Sequence, residues 1–568
     1  MKKQMKLWIT AGVTLFALLA VVVVVLVKRY APSNERVNLA KYFALDSKSD
    51  VAIVLEDERL DKSDNAMLAD GHVYVRYDVL HDAIDGRYYW DESESKLLYT
   101  TPQDTFWVES GTDNYYKGRK KVAGEFGEIV KLHGNEIWVN FSYVALNSNL
   151  QYHFYKKPNR LVVFNETKKI EQVETTKDTE IRLRGGVKSP ILSDVMSGTK
   201  LTVLKKYDNW YQVSSKDGFQ GFVKSSKVSD SKKTTRKIKM KWEYNHCMKD
   251  DRIEMAWHQV TSVFANTQIA NVLAKTKGLT VVSPTWFYLV DNKGGIGSLA
   301  SADYVTYCHA HDIEVWGLVS NLVAKGVDTG KVLEKTTYRE NLVSALIAKA
   351  IEYKLDGINV DIESLKPEFG DAYIQFIREL SLKCHANDLI LSVDNYVPSA
   401  YTSFYNRSEQ ARYADYIITM AYDEHYAGSD AGSVSSLGYV KEATTNVLKE
   451  VPADQAIIAL PFYTRLWELT PKKGSKSKYT TSSQAIGMTQ ADNLASVNGV
   501  TPTWDASLGQ DFVEYEQNGK KYQIWFENAK SLEEKLKVVT KNNVAGVSFW
   551  KLGFENEAAW NMVIKYSN

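Results

Sequence analysis

Between residue 238 and the C-terminus, eight short apolar runs alternate with stretches of helical periodicity, and this alternation limits the chain more than any other feature. The runs are IEMAWHQV from Ile253, LTVVSPTWF from Leu279, IEVWGLVS from Ile313, LDGINVDIE from Leu355, LILSVDNYV from Leu389, DYIITMAYD from Asp415, QAIIALPFY from Gln455 and VAGVSFWKL from Val544. Strands apolar on both faces belong to parallel sheets covered by helices. YRENLVSALIAKAIEY, from Tyr338, reads as one such helix. Eight strand–helix repeats predict a closed (β/α)8 TIM barrel over 238–568, in the α/β class. The gap before the eighth strand is the longest. It holds EYEQNGKKYQIWFE, whose Asn518-Gly519 pair favours a two-residue hairpin. A small α+β insertion is predicted there, over about 466–530.

Three further segments precede the barrel. Residues 7–27, LWITAGVTLFALLAVVVVVLV, carry no charge. At 1.5 Å per residue they span about 31 Å, one hydrocarbon core. The run is longer than the apolar part of a secretory signal, and its Val-rich end lacks a small-x-small cleavage site. It reads as an uncleaved transmembrane signal anchor, with residues 1–6 as a cytoplasmic tail. Lys2, Lys3 and Lys6 precede it and Lys28 and Arg29 follow, so charge bias orients it only weakly. The extracytoplasmic assignment of the rest of the chain comes from its domains.

Residues 42–170 contain a duplication, visible as DGHVYVRYDVLHDAIDGRYYWDESESKLLYTT from Asp70 and HGNEIWVNFSYVALNSNLQYHFYKKPNRLVVFNE from His133. Each copy has a turn, an alternating strand, a short helix and an aromatic-rich hairpin. The copies resemble the α/β stalk repeats of the N-terminal domain of copper amine oxidases, a likeness that implies a spacer and no copper. Residues 176–230 hold short alternating strands broken by Gly-Gly, Ser-Gly, Asp-Asn and Asp-Gly, the pattern of a small β-barrel. Their order resembles the bacterial Src-homology-3-like domain, which implies wall peptide or glycan binding. Trp210, Tyr211 and Phe222 fit its core or a binding face. SKKTTRK, 231–237, reads as a polar linker.

Charge sets further limits. Lys plus Arg total 70 and Asp plus Glu 69, which argues against a nucleic-acid partner. Cys247, Cys308 and Cys384 cannot all pair and form no CxxC, so neither a disulfide scaffold nor a zinc ribbon is expected. No P-loop, HExxH or dinucleotide fingerprint occurs in a suitable context, and neither cofactor nor metal is expected. His258, alone after Trp257, reads as a hydrogen-bonded structural residue.

The fourth strand carries the chemistry. It runs Asp356-Gly357-Ile358-Asn359-Val360-Asp361-Ile362-Glu363. Side chains alternate along a strand, so Asn359, Asp361 and Glu363 share one face and Ile358, Val360 and Ile362 the other. The polar face must point into the barrel. Burying an amide and two carboxyls there is costly unless they bond to one another or serve a site. The C-terminal strand ends are where such barrels place catalysis. Crowded carboxyls also hold their pKa values apart, which keeps one protonated near neutral pH.

This strand resembles the DxxDxDxE signature of glycoside hydrolase family 18, the chitinase family. MAYD (420–423) is similar to that family's Met-x-Tyr-Asp, LPFYTRLW (460–467) to its PxYGRxW stretch, and GVSFW (546–550) to its final strand. SPTWF, VDNYVP and YDEHYAGS resemble the spore-germination and cortex-lytic members that act on peptidoglycan. The resemblance implies a glycosidase cleaving β-1,4 bonds at N-acetylglucosamine, in peptidoglycan or a chitin-like oligosaccharide, by substrate-assisted catalysis. It implies Glu363 as general acid and base, Asp361 orienting the sugar acetamide, Tyr422 bonding the acetamide oxygen, and Asp356 supporting Asp361 from behind. Asp423, Arg465, Tyr463 and Met420 would position the sugars, and Trp550 would floor the reacting ring. Trp286, with Trp257 and Trp316, sits near early strand ends and reads as subsite lining or core. A non-catalytic glycan-binding or wall-organising protein on the same barrel is the alternative reading, although Glu363, Asp361 and Tyr422 are all present.

Asn359 departs from the signature, which has Asp there. The exchange removes one like charge beside Asp361 and predicts less upward pressure on its pKa. Asn359→Asp should therefore alter the acid limb of the pH–rate profile; an unchanged profile would contradict this.

Overall fold

The computed structural model describes residues 2–60, 65–472 and 479–567. The predicted insertion includes residues 473–478, which lie outside the described residues. The chain divides into two compact units, one of residues 1–88 and 106–242, the other of residues 89–105 and 243–568.

In the first unit, helix Lys2–Tyr30 is long and apolar enough to cross a membrane, by length and composition. Each duplicated copy begins with a hairpin and a helical turn. Hairpin Ala66–Ala69/His72–Arg76 is followed by the turn Tyr77–Val79, and hairpin Val130–His133/Glu136–Asn140 by helix Phe141–Asn147. The two hairpins join antiparallel, with Val75 opposite Val139. The five Src-homology-3-like strands join Lys168–Glu174 and Lys232–Arg236 in a seven-stranded sheet. Two features differ from the sequence reading. Residues 231–237 are not a free linker, because strand Lys232–Arg236 pairs with Lys168–Glu174, and Arg236 forms ion pairs with Glu56 and Asp57. The stalk and the β-module also share one core, in which Phe43, Val54 and Val162 meet Ile181, Leu201 and Val213. Small modules bury too little apolar surface alone, and merging cores is one remedy.

The second unit is the barrel. Its strands are β1 (Ile253–His258), β2 (Val281–Pro284), β3 (Glu314–Ser320), β4 (Gly357–Asp361), β5 (Ile390–Tyr396), β6 (Tyr416–Met420), β7 (Ala456–Pro461) and β8 (Gly546–Trp550). All eight are parallel to their neighbours, and β8 pairs with both β7 and β1 to close the cylinder. The run from Leu279 ends as a barrel strand at Pro284, and Phe287–Leu289 turns into a separate hairpin with Ile296–Ser298. Met255, Trp257, Trp316, Leu318, Ile418 and Ile457 belong to the core. The insertion is a five-stranded antiparallel sheet with helix Met488–Val497. Its hairpin turns at Asn518 and Gly519, with φ of +53° and +72°. Two successive positive φ values are what a type I′ turn requires.

Residues 89–105 belong to this unit although they come from the first copy. Asp91 accepts the Thr336 N–H at 2.6 Å, and Gln375 donates to Thr100 Oγ1 at 2.8 Å. At the N-terminal end of the barrel, Asp415 is fully buried. It accepts from the backbone N–H of Cys247 and Leu391 and bonds His385. Cys247, His385 and Asp415 thus bring potential ligand atoms within 4.8 Å of one another, but those bonds already engage both Asp415 oxygens.

Closure depends on Gly546. A Cβ there would strike the Ile253 carbonyl oxygen and lie 2.8 Å from Ile253 Cβ, where β8 meets β1. Gly546→Ala should cost about 1–3 kcal/mol as an overpacked contact. Denaturant unfolding would measure it, and unchanged stability would contradict the close approach.

Candidate active site

β4 brings Asn359 into the barrel interior and Asp361 and Glu363 to its C-terminal mouth, while Ile358 and Val360 are buried on the other face. A cavity of about 830 Å³ opens there. Asp361, Glu363, Met420, Tyr422, Asp423 and Trp550, all singled out from the sequence, line it together.

Asn359 has no exposed surface, and its amide is saturated. Trp257 Nε1 donates to its oxygen at 2.9 Å and Ser283 Oγ at 3.0 Å. Its nitrogen donates to Ser392 Oγ at 3.0 Å and to Asp394 Oδ1 at 2.8 Å. The last contact brings in a carboxyl that the motif reading passed over. Asp394 is 3% exposed and lines the cavity. Asn359 thus does not leave Asp361 with fewer charged neighbours, as the sequence suggested. β5 supplies a carboxyl where β4 has an amide.

The carboxyls are strongly perturbed. Burial, reinforced by the charge of Glu363, pushes Asp361 up to about 8. Burial and the charge of Asp361 push Asp394 well above the usual carboxylate range. Glu363, half-buried, is raised by desolvation, with the Tyr396 hydroxyl bond opposing and Asp423 adding. Like charges in a desolvated site do not all ionise together. Asp361 Oδ1 is buried with no hydrogen-bond partner, while Asp361 as a residue lines the cavity. Asn321 clamps the Glu363 backbone, accepting its N–H at 2.9 Å and donating to its carbonyl at 2.9 Å. Tyr396, also missed by the motif reading, accepts the Ser364 N–H at 3.1 Å and bonds the Glu363 carboxyl. Both β5 residues had a signal in the sequence: in SVDNY, Ser392, Asp394 and Tyr396 alternate onto one face, as Asn359 and Asp361 do on β4.

Four assignments need correction. Asp356 does not support Asp361. It lies at the opposite end of β4, where its carboxylate bonds His309 Nε2 at 2.8 Å and the Val315 N–H at 2.7 Å. Five residue steps along the strand separate the two, some 17 Å at about 3.3 Å per residue. Trp286 is not subsite lining. It is fully buried and donates to Asn266 Oδ1 at 2.9 Å. Tyr463 and Arg465 are not among the cavity-lining residues and instead hold Asp423. Tyr463 donates to Asp423 Oδ1 at 2.6 Å, and Arg465 Nη2 lies 3.5 Å away. Asp423 itself has φ +56°, a strained conformation for a non-glycine residue. Of the early tryptophans, Trp257 reaches the cavity, and Trp316 stacks on Tyr416 in the core. His258 bonds Tyr304 at 3.0 Å.

Known proteins share this architecture. The model of glycosyl hydrolases family 18 matches residues 326–555, and that of the bacterial SH3 domain residues 178–229. An uncharacterized glycosylase of Bacillus subtilis, YvbX, is 26% identical over 290 residues, 49% of this chain and 82% of that protein. A cortical fragment-lytic enzyme of the same organism is 26% identical over 236 residues, 40% of this chain and 54% of that protein. The chain thus spans about half the length of the latter. The crystal structure of the Bacillus cereus spore cortex-lytic enzyme SleL has the same fold, with a TM-score of 0.50, 19% identity, and coverage of 56% of this chain and 74% of that one.

The raised carboxyl gives a pH dependence with a definite sign. Asp361 keeps its proton in the folded state where the unfolded chain has lost it. Its contribution to stability is therefore complete below the ordinary carboxylate range and is lost as pH rises toward about 8. Asp361→Asn cannot ionise and should flatten that fall. Thermal unfolding should show the variant gaining more over wild type at pH 8 than at pH 5; a pH-independent difference would contradict the buried, protonated state.

Proposed function

Starting from a barrel that carries a glycosyl hydrolases family 18 domain, we propose that the chain is a membrane-anchored, extracytoplasmic glycosidase. It cleaves β-1,4 bonds at N-acetylglucosamine in cell-wall peptidoglycan or a chitin-like glycan. One observation carries the reading: Asp361 and Glu363, both shifted toward the protonated state, meet Tyr422 and Trp550 around one cavity at the catalytic end of the barrel. A binding protein has no need to keep a proton-donating carboxyl poised at a cavity wall. The apolar helix Lys2–Tyr30 supports the anchor, and the bacterial SH3 domain supports a wall location.

The steps follow from proton bookkeeping. Glu363, protonated, donates to the glycosidic oxygen as the C1–O bond breaks. The acetamide oxygen of the same sugar closes on C1 and forms a cyclic cation, with no covalent bond to the protein. Glu363, now ionised, takes a proton from water, which opens the ring at C1 with net retention. The free Asp361 Oδ1 accepts from the acetamide N–H and faces the developing positive charge. Tyr422 bonds the acetamide oxygen, and Trp550 floors the ring. Asp423, held by Tyr463 and Arg465, positions sugar hydroxyls.

Full-length protein in detergent, beside Glu363→Gln, would be incubated with peptidoglycan, cortex-type peptidoglycan and chitin oligomers, with mass spectrometry of the released ends. New N-acetylglucosamine reducing ends should appear and fall by about 10²–10⁴-fold in the variant, the usual worth of a general acid. Equal turnover by Glu363→Gln would overturn the assignment. Retained glycan binding without product from wild type would favour the non-catalytic reading.

A further inference from the structure

We propose that a second groove beside Glu363, walled by Lys366, holds the acid-bearing side arm of the leaving sugar. The groove thereby selects glycans whose leaving sugar carries a lactyl ether or a peptide on O3 over plain chitin. This rests on the glycosidase reading above and extends the same site by one substituent.

The groove has a volume of about 460 Å³ and adjoins the catalytic cavity. Asn321, Asp328, Thr329, Ser364, Lys366 and Phe369 are among its walls, and Ser364 lines both spaces. Asn321 joins them a second time. It holds the Glu363 backbone through two bonds of 2.9 Å, and its Nδ2 also donates to Thr329 Oγ1 at 3.3 Å. Ser364, at φ +53°, turns the chain sharply after β4, so that Glu363 borders the cavity and Lys366 the groove. Phe369 packs onto Gly330, where a Cβ would strike its ring, and this contact fixes one wall.

The chemistry of the cleaved bond says what reaches this groove. Glu363 protonates the oxygen that stays on C4 of the leaving sugar. A substituent on O3 of that sugar hangs from the neighbouring carbon, so it lies beside Glu363. In chitin that O3 carries only hydrogen. In peptidoglycan the sugar bonded to C1 of N-acetylglucosamine is N-acetylmuramic acid. Its O3 bears a lactyl group whose carboxyl is either free or extended by a peptide with carboxylates of its own. Phe369 supplies apolar surface for the lactyl or alanyl methyl group, and Lys366 supplies a cation for the carboxylate. The Lys366 side chain is 72% exposed, and Glu368, itself 60% exposed, lies 3.7 Å from it. Water and salt weaken such a pair, and another carboxylate can replace Glu368 in it. The other acid on the wall, Asp328, is engaged with its own helix, Thr329–Glu334, where it accepts the Lys331 N–H at 3.3 Å. Selection is then a difference of affinities between a leaving sugar that meets Lys366 with a carboxylate and one that does not.

The test uses full-length protein in detergent, wild type beside Lys366→Gln and Lys366→Glu. The substrates are peptidoglycan tetrasaccharides with the lactyl side arm open, the same tetrasaccharides with the arm closed to an uncharged lactam, and chitin tetraose. The kcat/KM ratio of the open form to each of the others should fall about 5-fold in Lys366→Gln, the order of effect an exposed ion pair supplies. It should fall further in Lys366→Glu, and the wild-type preference should shrink as salt is raised. Ratios that do not move in either variant would overturn the assignment. Isothermal titration with N-acetylmuramyl dipeptide needs no turnover, and Lys366→Glu should bind it more weakly than wild type does. A wild type that turns over none of the three glycans would count against the glycosidase reading. The titration would then decide the groove by itself, and dipeptide binding that is absent, or equal in wild type and Lys366→Glu, would overturn it.

Discussion

The site depends on the four-point hydrogen bonding of one buried amide. Asn359 stands at the barrel axis, below the mouth, and ties β1, β2 and β5 to β4 through Trp257, Ser283, Ser392 and Asp394. An unpaired amide in a closed core would cost several kcal/mol, and a fully paired one fixes the strands around it. Above this layer the barrel accepts two carboxyls it would otherwise exclude, because each keeps its proton or finds a donor. The perturbed acids follow from the packing of the interior and do not require an external ligand to be held in place.

The same layer separates structure from chemistry along the barrel. At the N-terminal end, Asp356 and Asp415 are consumed by backbone N–H groups and histidines and stabilise connections. At the C-terminal end, Asp361 keeps an acceptor free and Asp423 is held by Tyr463 and Arg465 while its surface stays open. Acids of the same type on the same strands thus differ in role according to whether backbone donors reach them.

Much of this could be read in the sequence, for identifiable reasons. The eight barrel strands were legible because parallel strands bury both faces and so appear as unbroken apolar runs. The inward face of β4 was legible from period-two alternation, and the same rule applied to SVDNY would have placed Asp394 and Tyr396. The β4 motif by itself carries no signal for residues on the neighbouring strand. Asp356 was misplaced because motif spacing ignores the length of the strand, which carries its two ends to opposite faces of the barrel. Trp286 was ambiguous because a strand-end tryptophan reads alike as core or rim until its neighbour Asn266 is known. The shared core of the stalk and the β-module was invisible, since Phe43, Val162 and Val213 meet only through long-range contacts.

The central claim is that this cavity hydrolyses a glycosidic bond through the sugar's own acetamide, with Glu363 supplying and recovering the proton. It is tested most directly by proton NMR of the anomeric configuration at the newly released reducing end, recorded before mutarotation. The β anomer, retained from the substrate, is the predicted result. A product released first as the α anomer would mean direct attack by water and would contradict it.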